Sequence, residues 1–360
     1  MLTEKQIREI REHLERAQNP VFFYDNDCDG LCSFLLLRRL IGRGKGVAVK
    51  SYPDLNAEYA KKASELKADY VFILDKPVIS PAFLEEIDKM QLPVVWIDHH
   101  AISSNNKEFE IDEKKHKNLQ AYNPARNKGK EESFEPVTYL AYKISERKED
   151  IWIAIMGCIA DHFIPDFAFE FQKHYPEFWT KEKIKEPFDA YYRTEIGRIA
   201  QAISFGLKDS ISHVVKLQNF LINCNSPNEI FLELEGNKEF REKYSEIRKK
   251  YDFLLEKAKE STKEKLIFFD YSGDLSISAE IANELSYKHH GKYIAVAYKK
   301  GAITNISLRG EKIRRILEKI LKRFENANGG GHENAAGARI RTEDLVKFKE
   351  ALENEINSRQ

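Results

Sequence analysis

Four short apolar runs in the first hundred residues alternate with helical stretches, and three of them end on an acid. Val21-Phe22-Phe23-Tyr24 runs into Asp25-Asn26-Asp27-Cys28-Asp29-Gly30, Tyr70–Leu74 into Asp75, and Pro93–Ile97 into Asp98-His99-His100. Val47–Tyr52 is the fourth run, and Leu31–Leu40, Ala57–Leu66 and Pro81–Met90 lie between them as helices. Strands alternating with helices predict βαβ units and a parallel sheet, whose ligands gather at the carboxyl ends of the strands. Alternate carboxylates just past a strand are costly to bury unless a positive partner compensates each anion. A divalent metal is such a partner, and Asp with His is a donor set that suits Mn²⁺.

The rest of the chain reads as α/β in two parts. Thr3-Glu4-Lys5-Gln6 predicts a capping box ahead of a first helix, residues 101–120 a polar loop, and Pro136–Ile144 and Ile151–Ala160 two helices, the second ending at Asp161. Residues 167–262 carry long charged amphipathic stretches such as Phe240–Lys259. A second α/β region opens at Leu266–Phe269 and continues through the helix Ser278–Tyr287 and the strands Tyr293–Tyr298 and Ala302–Leu308. The helix Glu311–Phe324 then leads into Gly329-Gly330-Gly331-His332, and Thr342 caps a last helix. With 58 Lys+Arg against 58 Asp+Glu there is no global basic field, so a polyanion must be gripped locally. Cys28, Cys32, Cys158 and Cys224 form no Cys-x-x-Cys pair, and no apolar stretch is long enough to span a bilayer. The expected setting is a reducing cytoplasm, with no membrane partner.

Each constellation has a plainer alternative. Asp25-x-Asp27-x-Asp29-Gly30 could be a calcium loop, but no Glu stands at the twelfth position and no helix precedes it. Asp98-His99-His100 follows an apolar strand, unlike His289-His290, which reads as an idle surface pair. Asp161 ends the helix containing Gly157-Cys158-Ile159-Ala160, where an anion is unfavourable unless a cation offsets it. Three successive glycines expose backbone N–H groups that can cradle phosphate, or serve as a flexible linker. Arg309 at a strand end offers a bidentate grip on phosphate, and Arg314, Arg315, Lys319, Lys322 and Arg323 form a basic helical face. Cys28 and Cys32 read as buried packing residues.

Together these segments resemble the DHH phosphoesterase superfamily. Asp25–Gly30, Asp75, Asp98-His99-His100 and Asp161 resemble its four motifs, and Gly329–His332 with Ala335-Ala336-Gly337 resembles the signature of the DHHA1 partner domain. The Asp-x-Asp-x-Asp-Gly form is similar to the RecJ branch, as are Asn123-Pro124, Gly157–Asp161 and Ser307-Leu308-Arg309. The chain departs at Lys76-Pro77, after the second-motif Asp, and in having no OB-fold region after Gly337, as in trimmed archaeal RecJ-like nucleases. The resemblance implies a parallel-sheet DHH catalytic domain with a helical insertion over 1–205, a helical connector over 206–262 and a smaller α/β DHHA1 substrate-binding domain over 263–360.

It also implies two divalent ions, Mn²⁺ preferred and Mg²⁺ allowed. Asp27 and Asp75 would hold one with Asp25 nearby; Asp29, Asp75, His99 and Asp161 would hold the other, making Asp75 the bridge. His100 would face the scissile phosphate with Asp98 behind the histidines, so that His100, Asp98 and Asp75 serve catalysis. Arg309, Gly329, Gly330, Gly331, His332 and Arg126 would contact substrate. Two cations roughly 3.5–4 Å apart can activate a water for in-line attack on phosphorus. The implied activity is a Mn²⁺-dependent exonuclease on single-stranded DNA or RNA releasing nucleoside monophosphates. The alternatives are a phosphodiesterase of short oligonucleotides or cyclic dinucleotides, and a non-catalytic replication scaffold. A helicase or a replication or repair protein is the expected protein partner.

Overall fold

Phe22 and Tyr24 point to one side of the first strand and Val21 and Phe23 to the other, and all four are wholly buried. A strand apolar on both faces belongs inside a parallel sheet covered on both sides. The computed structural model, which describes residues 1–51, 54–100, 115–128, 135–261 and 265–358, has this arrangement. It falls into two compact units, Met1–Tyr244 and Ser245–Gln360.

In the first unit the strands are β1 (Pro20–Asp25), β2 (Lys45–Val49), β3 (Asp54–Leu55), β4 (Tyr70–Leu74), β5 (Val78–Ile79), β6 (Val94–Ile97) and β7 (Leu119–Tyr122). The main sheet runs β2-β1-β4-β6-β7 with every pair parallel, and β3 pairs with β5 apart from it. Chain order reverses between β1 and β4, a topological switch point that opens a crevice at the carboxyl end. The helices Cys28–Ile41, Val137–Ser145 and Ile151–Ala160 pack through Leu31, Leu35, Leu140 and Trp152 with Phe22, Tyr24, Phe72 and Ile97. Ala60–Glu65 and Pro81–Lys89 supply Ala63, Phe83 and Ile87 to the cluster that holds Val21, Phe23 and Ile73. The first helix, Glu4–Arg16, carries the expected capping box between Thr3 and Gln6. Strand β7 was not legible in Leu-Gln-Ala-Tyr, a short segment with one exposed polar residue; of the loop expected over 101–120, residues 101–114 lie outside the described set.

In the second unit β8 (Leu266–Ser272), β9 (Tyr293–Lys300), β10 (Ile303–Arg309), β11 (Asn328–Gly331) and β12 (Ala335–Arg341) form a mixed sheet in the order β11-β12-β10-β9-β8. Only β8 and β9 are parallel. The helices Ile313–Leu321 and Leu345–Asn357 bury Ile316, Leu317, Ile320, Phe348 and Leu352 with Ala295, Ile306 and Ala338.

The structure divides the chain within the helix Lys238–Glu260, so much of the connector expected over 206–262 belongs to the first unit. The helix Ile211–Asn223 explains why: Val214, Leu217 and Leu221 are core residues there, and Gln218 accepts a buried hydrogen bond from the Tyr24 hydroxyl at 2.9 Å. Arg39 reinforces this docking. It pairs with the fully buried Asp150 at 2.7 Å, and its Nη1 donates to the carbonyls of Ile222 and Cys224. Arg147 Nε holds the second Asp150 oxygen at 2.8 Å. Removing one partner of such a network strands the others without water, so Asp150→Ala should destabilise the first unit by about 3–5 kcal/mol. Denaturant titration would measure this, and a loss below roughly 1 kcal/mol would mark the network as marginal.

Candidate metal centre

Adjacent parallel strands β1, β4 and β6 deliver Asp25, Asp75 and Asp98 side by side at the carboxyl edge. The segment after β1 turns directly into a helix. Asp27 is its N-cap, with Oδ1 accepting from Gly30 N at 2.9 Å, and a Cβ on Gly30 would collide with the Asp25 carbonyl. Asp29 turns inward and is buried. Its two oxygens accept from the backbone N–H groups of Val137 (2.9 Å) and Thr138 (2.7 Å), the open first turn of a helix whose N-cap, Pro136, has no side-chain acceptor. An anion at a helix N-terminus is favourable, so this carboxylate fixes two helices to each other.

Asp75 adopts a left-handed backbone at φ 59°, a conformation Asp tolerates better than most residues. Its Oδ1 is buried and accepts no hydrogen bond among the described residues, although His99 Nε2 lies 3.4 Å away and His100 Nδ1 3.8 Å away. Asp98 Oδ1 pairs with His100 Nδ1 at 2.8 Å while its Oδ2 accepts from His100 N at 3.0 Å and Asn123 Nδ2 at 3.3 Å. Asn123 also donates to the His100 carbonyl. Asp161 sits at the C-terminus of the helix Ile151–Ala160, with Oδ2 3.8 Å from His99 Nε2. Gly157 lets that helix approach closely, since a Cβ there would strike Thr138 and Cys32.

Two overlapping triads emerge, Asp75-His99-His100 and Asp29-His99-Asp161, each with ligand atoms within 4.8 Å of one another. With the orphaned Asp75 oxygen, this donor set fits a divalent cation. Neither triad includes Asp25 or Asp27. Asp25 instead pairs at 2.9 Å with Nζ of Lys76, a residue whose side chain is 0% exposed. Sequence reasoning registered Lys76 only as a departure from a motif. A lysine directly after a strand-end acid is ordinarily solvated, so its burial carries no local sequence signal.

The electrostatics express an excess of anions. Burial pushes the Asp75 carboxyl well above the usual range, and Asp29, Asp27, Asp25 and Asp161 add repulsion. Asp27 and Asp161 keep exposed surface, yet desolvation by the protein around them, and then neighbouring carboxylates, raise them to about 7 and about 8. Burial works to lower His100, but its bond to Asp98 and the surrounding anions prevail and raise it to about 9.

The other expected residues stand elsewhere. Arg126 is exposed on the short helix Pro124–Lys128. In the second unit, Gly329, Gly330 and Gly331 form the exposed edge strand β11, paired in register with Ala338, Gly337 and Ala336. The run is thus not a flexible linker: one edge of the glycine backbone is taken up by β12. His332 starts the tight turn to Ala335, its N–H donating to the Ala335 carbonyl at 2.8 Å. Arg309 pairs in register with Ala335, so both stand at one end of this sheet. Asn283 orients the guanidinium by accepting from Nε at 2.6 Å. Three of the five cations of the basic helical face are in ion pairs with two carboxylates: Arg314 with Glu318, and Lys319 and Arg323 both with Glu355. All four cysteines are buried and free.

The profile of the DHHA1 domain family matches residues 263–358. No curated protein matches the sequence. Among solved structures, RecJ from Thermus thermophilus in complex with Mn²⁺ aligns over 99% of this chain and 55% of its own, at 14% identity and TM-score 0.67. The chain therefore spans about half the length of that relative. An exonuclease RecJ bound to manganese aligns over 100% of this chain and 96% of its own, at 15% identity and TM-score 0.64. CDC45 from Entamoeba histolytica aligns over 98% and 99%, at 11% identity and TM-score 0.54. Among the described residues no helix is long and apolar enough to cross a membrane.

A carboxyl whose folded pKa is raised binds a proton that the unfolded chain has lost, so its contribution is present below the unfolded value and lost as pH rises through the folded one. The metal-free protein should therefore lose thermal stability between about pH 4 and pH 8, as Asp27 and Asp161 ionise. His100 adds to the loss between about pH 6.5 and 9. Saturating Mn²⁺ should raise Tm more at pH 8 than at pH 6. Melting curves in chelator and in Mn²⁺ across this range test the assignment, and an equal Mn²⁺ shift at both pH values would count against it.

Proposed function

We propose, from the premise that this chain has the RecJ-like DHH/DHHA1 fold and carries a DHHA1 domain over residues 263–358, that it is a metal-dependent phosphodiesterase acting on single-stranded nucleic acid. The observation that carries the reading is the pair of triads around His99 with the unsatisfied Asp75 oxygen between them. Asp29, Asp75, His99 and Asp161 would hold a divalent ion, Mn²⁺ in preference to Mg²⁺ because of the imidazole donor. When bound there, the ion supplies Lewis-acid stabilisation of a phosphoryl oxygen and activation of water. His100 is positively charged at neutral pH, and with Nδ1 held by Asp98 it presents Nε2–H to a developing negative charge on phosphate. Asp98, itself steadied by Asn123, keeps the ring in place. In the second unit Arg309 and His332 bind phosphate, and the exposed Gly329–Gly331 edge gives a strand end close access to backbone.

Substrate length divides two versions of this activity. An exonuclease on long single strands needs an extended cationic track, whereas a phosphodiesterase of short oligonucleotides does not. Arg314, Lys319 and Arg323, three of the five cations that could form such a track, are engaged by Glu318 and Glu355, which favours the second version. Oligomers of graded length, labelled at either end, separate them. Preference for the shortest substrates identifies the oligonucleotide enzyme, processive shortening of long ones the exonuclease, and cleavage of none removes the hydrolase reading.

Two variants test the division of labour. Asp75→Ala should abolish hydrolysis while leaving nucleic-acid binding largely intact; near-normal turnover would remove Asp75 from the centre. Arg309→Ala should weaken binding by roughly 1.5–3 kcal/mol, tens-fold or more, as a charge-assisted contact is lost. It should also flatten the salt dependence by about 0.7 in log–log slope. Its Mn²⁺ content should match that of the wild type, and a drop in bound metal would contradict the separation.

A further inference from the structure

Four of the six expected metal ligands converge. Asp29, Asp75, His99, His100 and Asp161 supply both triads, while Asp25 and Asp27, the remaining acids of the first motif, enter neither. Asp27 spends Oδ1 on the N-terminus of the helix Cys28–Ile41. Asp25 is engaged by Lys76, whose Nζ donates to Asp25 Oδ1 and to the Ser51 carbonyl, both at 2.9 Å. The placement is built in. The left-handed turn at Asp75 sends successive side chains in different directions, and Trp96 Nε1 clamps that turn by donating to the Lys76 carbonyl at 2.9 Å. Burying an ammonium completely costs several kcal/mol unless an anion repays it, so a lysine with no exposed surface stands where the field is strongly negative.

We propose that the Lys76 ammonium takes the place of one of the two cations, so that the centre holds a single divalent ion, at Asp29, Asp75, His99 and Asp161. A fixed monocation on Asp25 removes the charge that would draw a second divalent ion to that side. Asp75 then serves one ion and bridges nothing. The proposal deepens the metal-centre reading above and rests on it.

Counting ions on the full chain decides the matter. Calorimetric titration of wild-type protein with Mn²⁺ should give one ion per chain, with the six-line electron paramagnetic resonance spectrum of an isolated Mn²⁺. Two ions per chain with an exchange-coupled spectrum would overturn the proposal, and no bound ion would overturn it together with the metal assignment. Lys76→Ala, which frees Asp25, should bind a second Mn²⁺ and show the coupled signal. A folded Lys76→Ala that still takes one ion would also overturn the proposal, and if that variant does not fold the wild-type count still decides. Cleavage of labelled oligomers is read separately on the same samples. One ion without cleavage would refute the phosphodiesterase reading and leave the role of Lys76 standing; two ions with cleavage would do the reverse.

Discussion

Mutual repulsion among carboxylates at the carboxyl edge of one parallel sheet is the constraint on which the rest of the first unit depends. Asp25, Asp75 and Asp98 end neighbouring strands, and Asp27, Asp29 and Asp161 reach the same region from helix ends. Each needs its own compensation. Asp29 takes two backbone N–H groups of the helix Val137–Ser145, Asp27 takes one from Gly30, Asp98 takes His100, and Asp25 takes Lys76. Among the described residues Asp75 Oδ1 is left without a hydrogen bond, between two imidazoles. That residual demand suits the cluster to hold a cation. Close helix packing at Gly30 and Gly157 follows from it, because the acids converge only if those helices approach without a Cβ in the way.

Much of this was readable in the sequence, for an identifiable reason. Runs apolar on both faces and closed by an acid have few interpretations, so Asp25, Asp75 and Asp98 could be placed at strand ends before any coordinates. Their lateral adjacency could not, because strand order depends on long-range pairing that leaves no local trace. The same limit hid the partner of Asp29, which lies 108 residues away in Val137. It hid the closing of the basic helical face by Glu355 as well, 32 and 36 residues beyond its partners Arg323 and Lys319. The glycine run left a different ambiguity. Its composition allows a flexible linker, but the run pairs in register with the small residues Ala336, Gly337 and Ala338. Lys76 was visible yet unweighted, since a lysine after an acid is ordinarily solvated and only three-dimensional packing shows that this one is not.

The comparisons locate the fold and stop there. An exonuclease RecJ and CDC45 both align over nearly the whole chain at 15% and 11% identity, and a fold shared so widely does not determine what one chain does. What distinguishes this chain lies in its side chains. A buried carboxylate with an unsatisfied oxygen, and a histidine whose charge is sustained by a dedicated aspartate, favour the proposed hydrolase over a non-catalytic scaffold. The first costs stability in the metal-free protein through desolvation, the second contributes stability that is lost as pH rises toward about 9, and both suit phosphate-directed electrostatics.

The charge inventory also bears on how such a centre can work with a fixed lysine in it. A divalent ion carries twice the charge of an ammonium and can bind water and phosphate, whereas a buried ammonium held by Asp25 and the Ser51 carbonyl only offsets the field. Replacing one with the other sacrifices a Lewis acid but removes the need to capture a second ion from solution. The burden on the remaining groups of the first unit would increase accordingly, and His100, whose charge Asp98 sustains, is the cation of that donor set the proposal leaves to meet a phosphoryl oxygen. A protein of this design would trade strength of phosphate polarisation for a centre assembled by folding, with one ion left to be supplied by the environment.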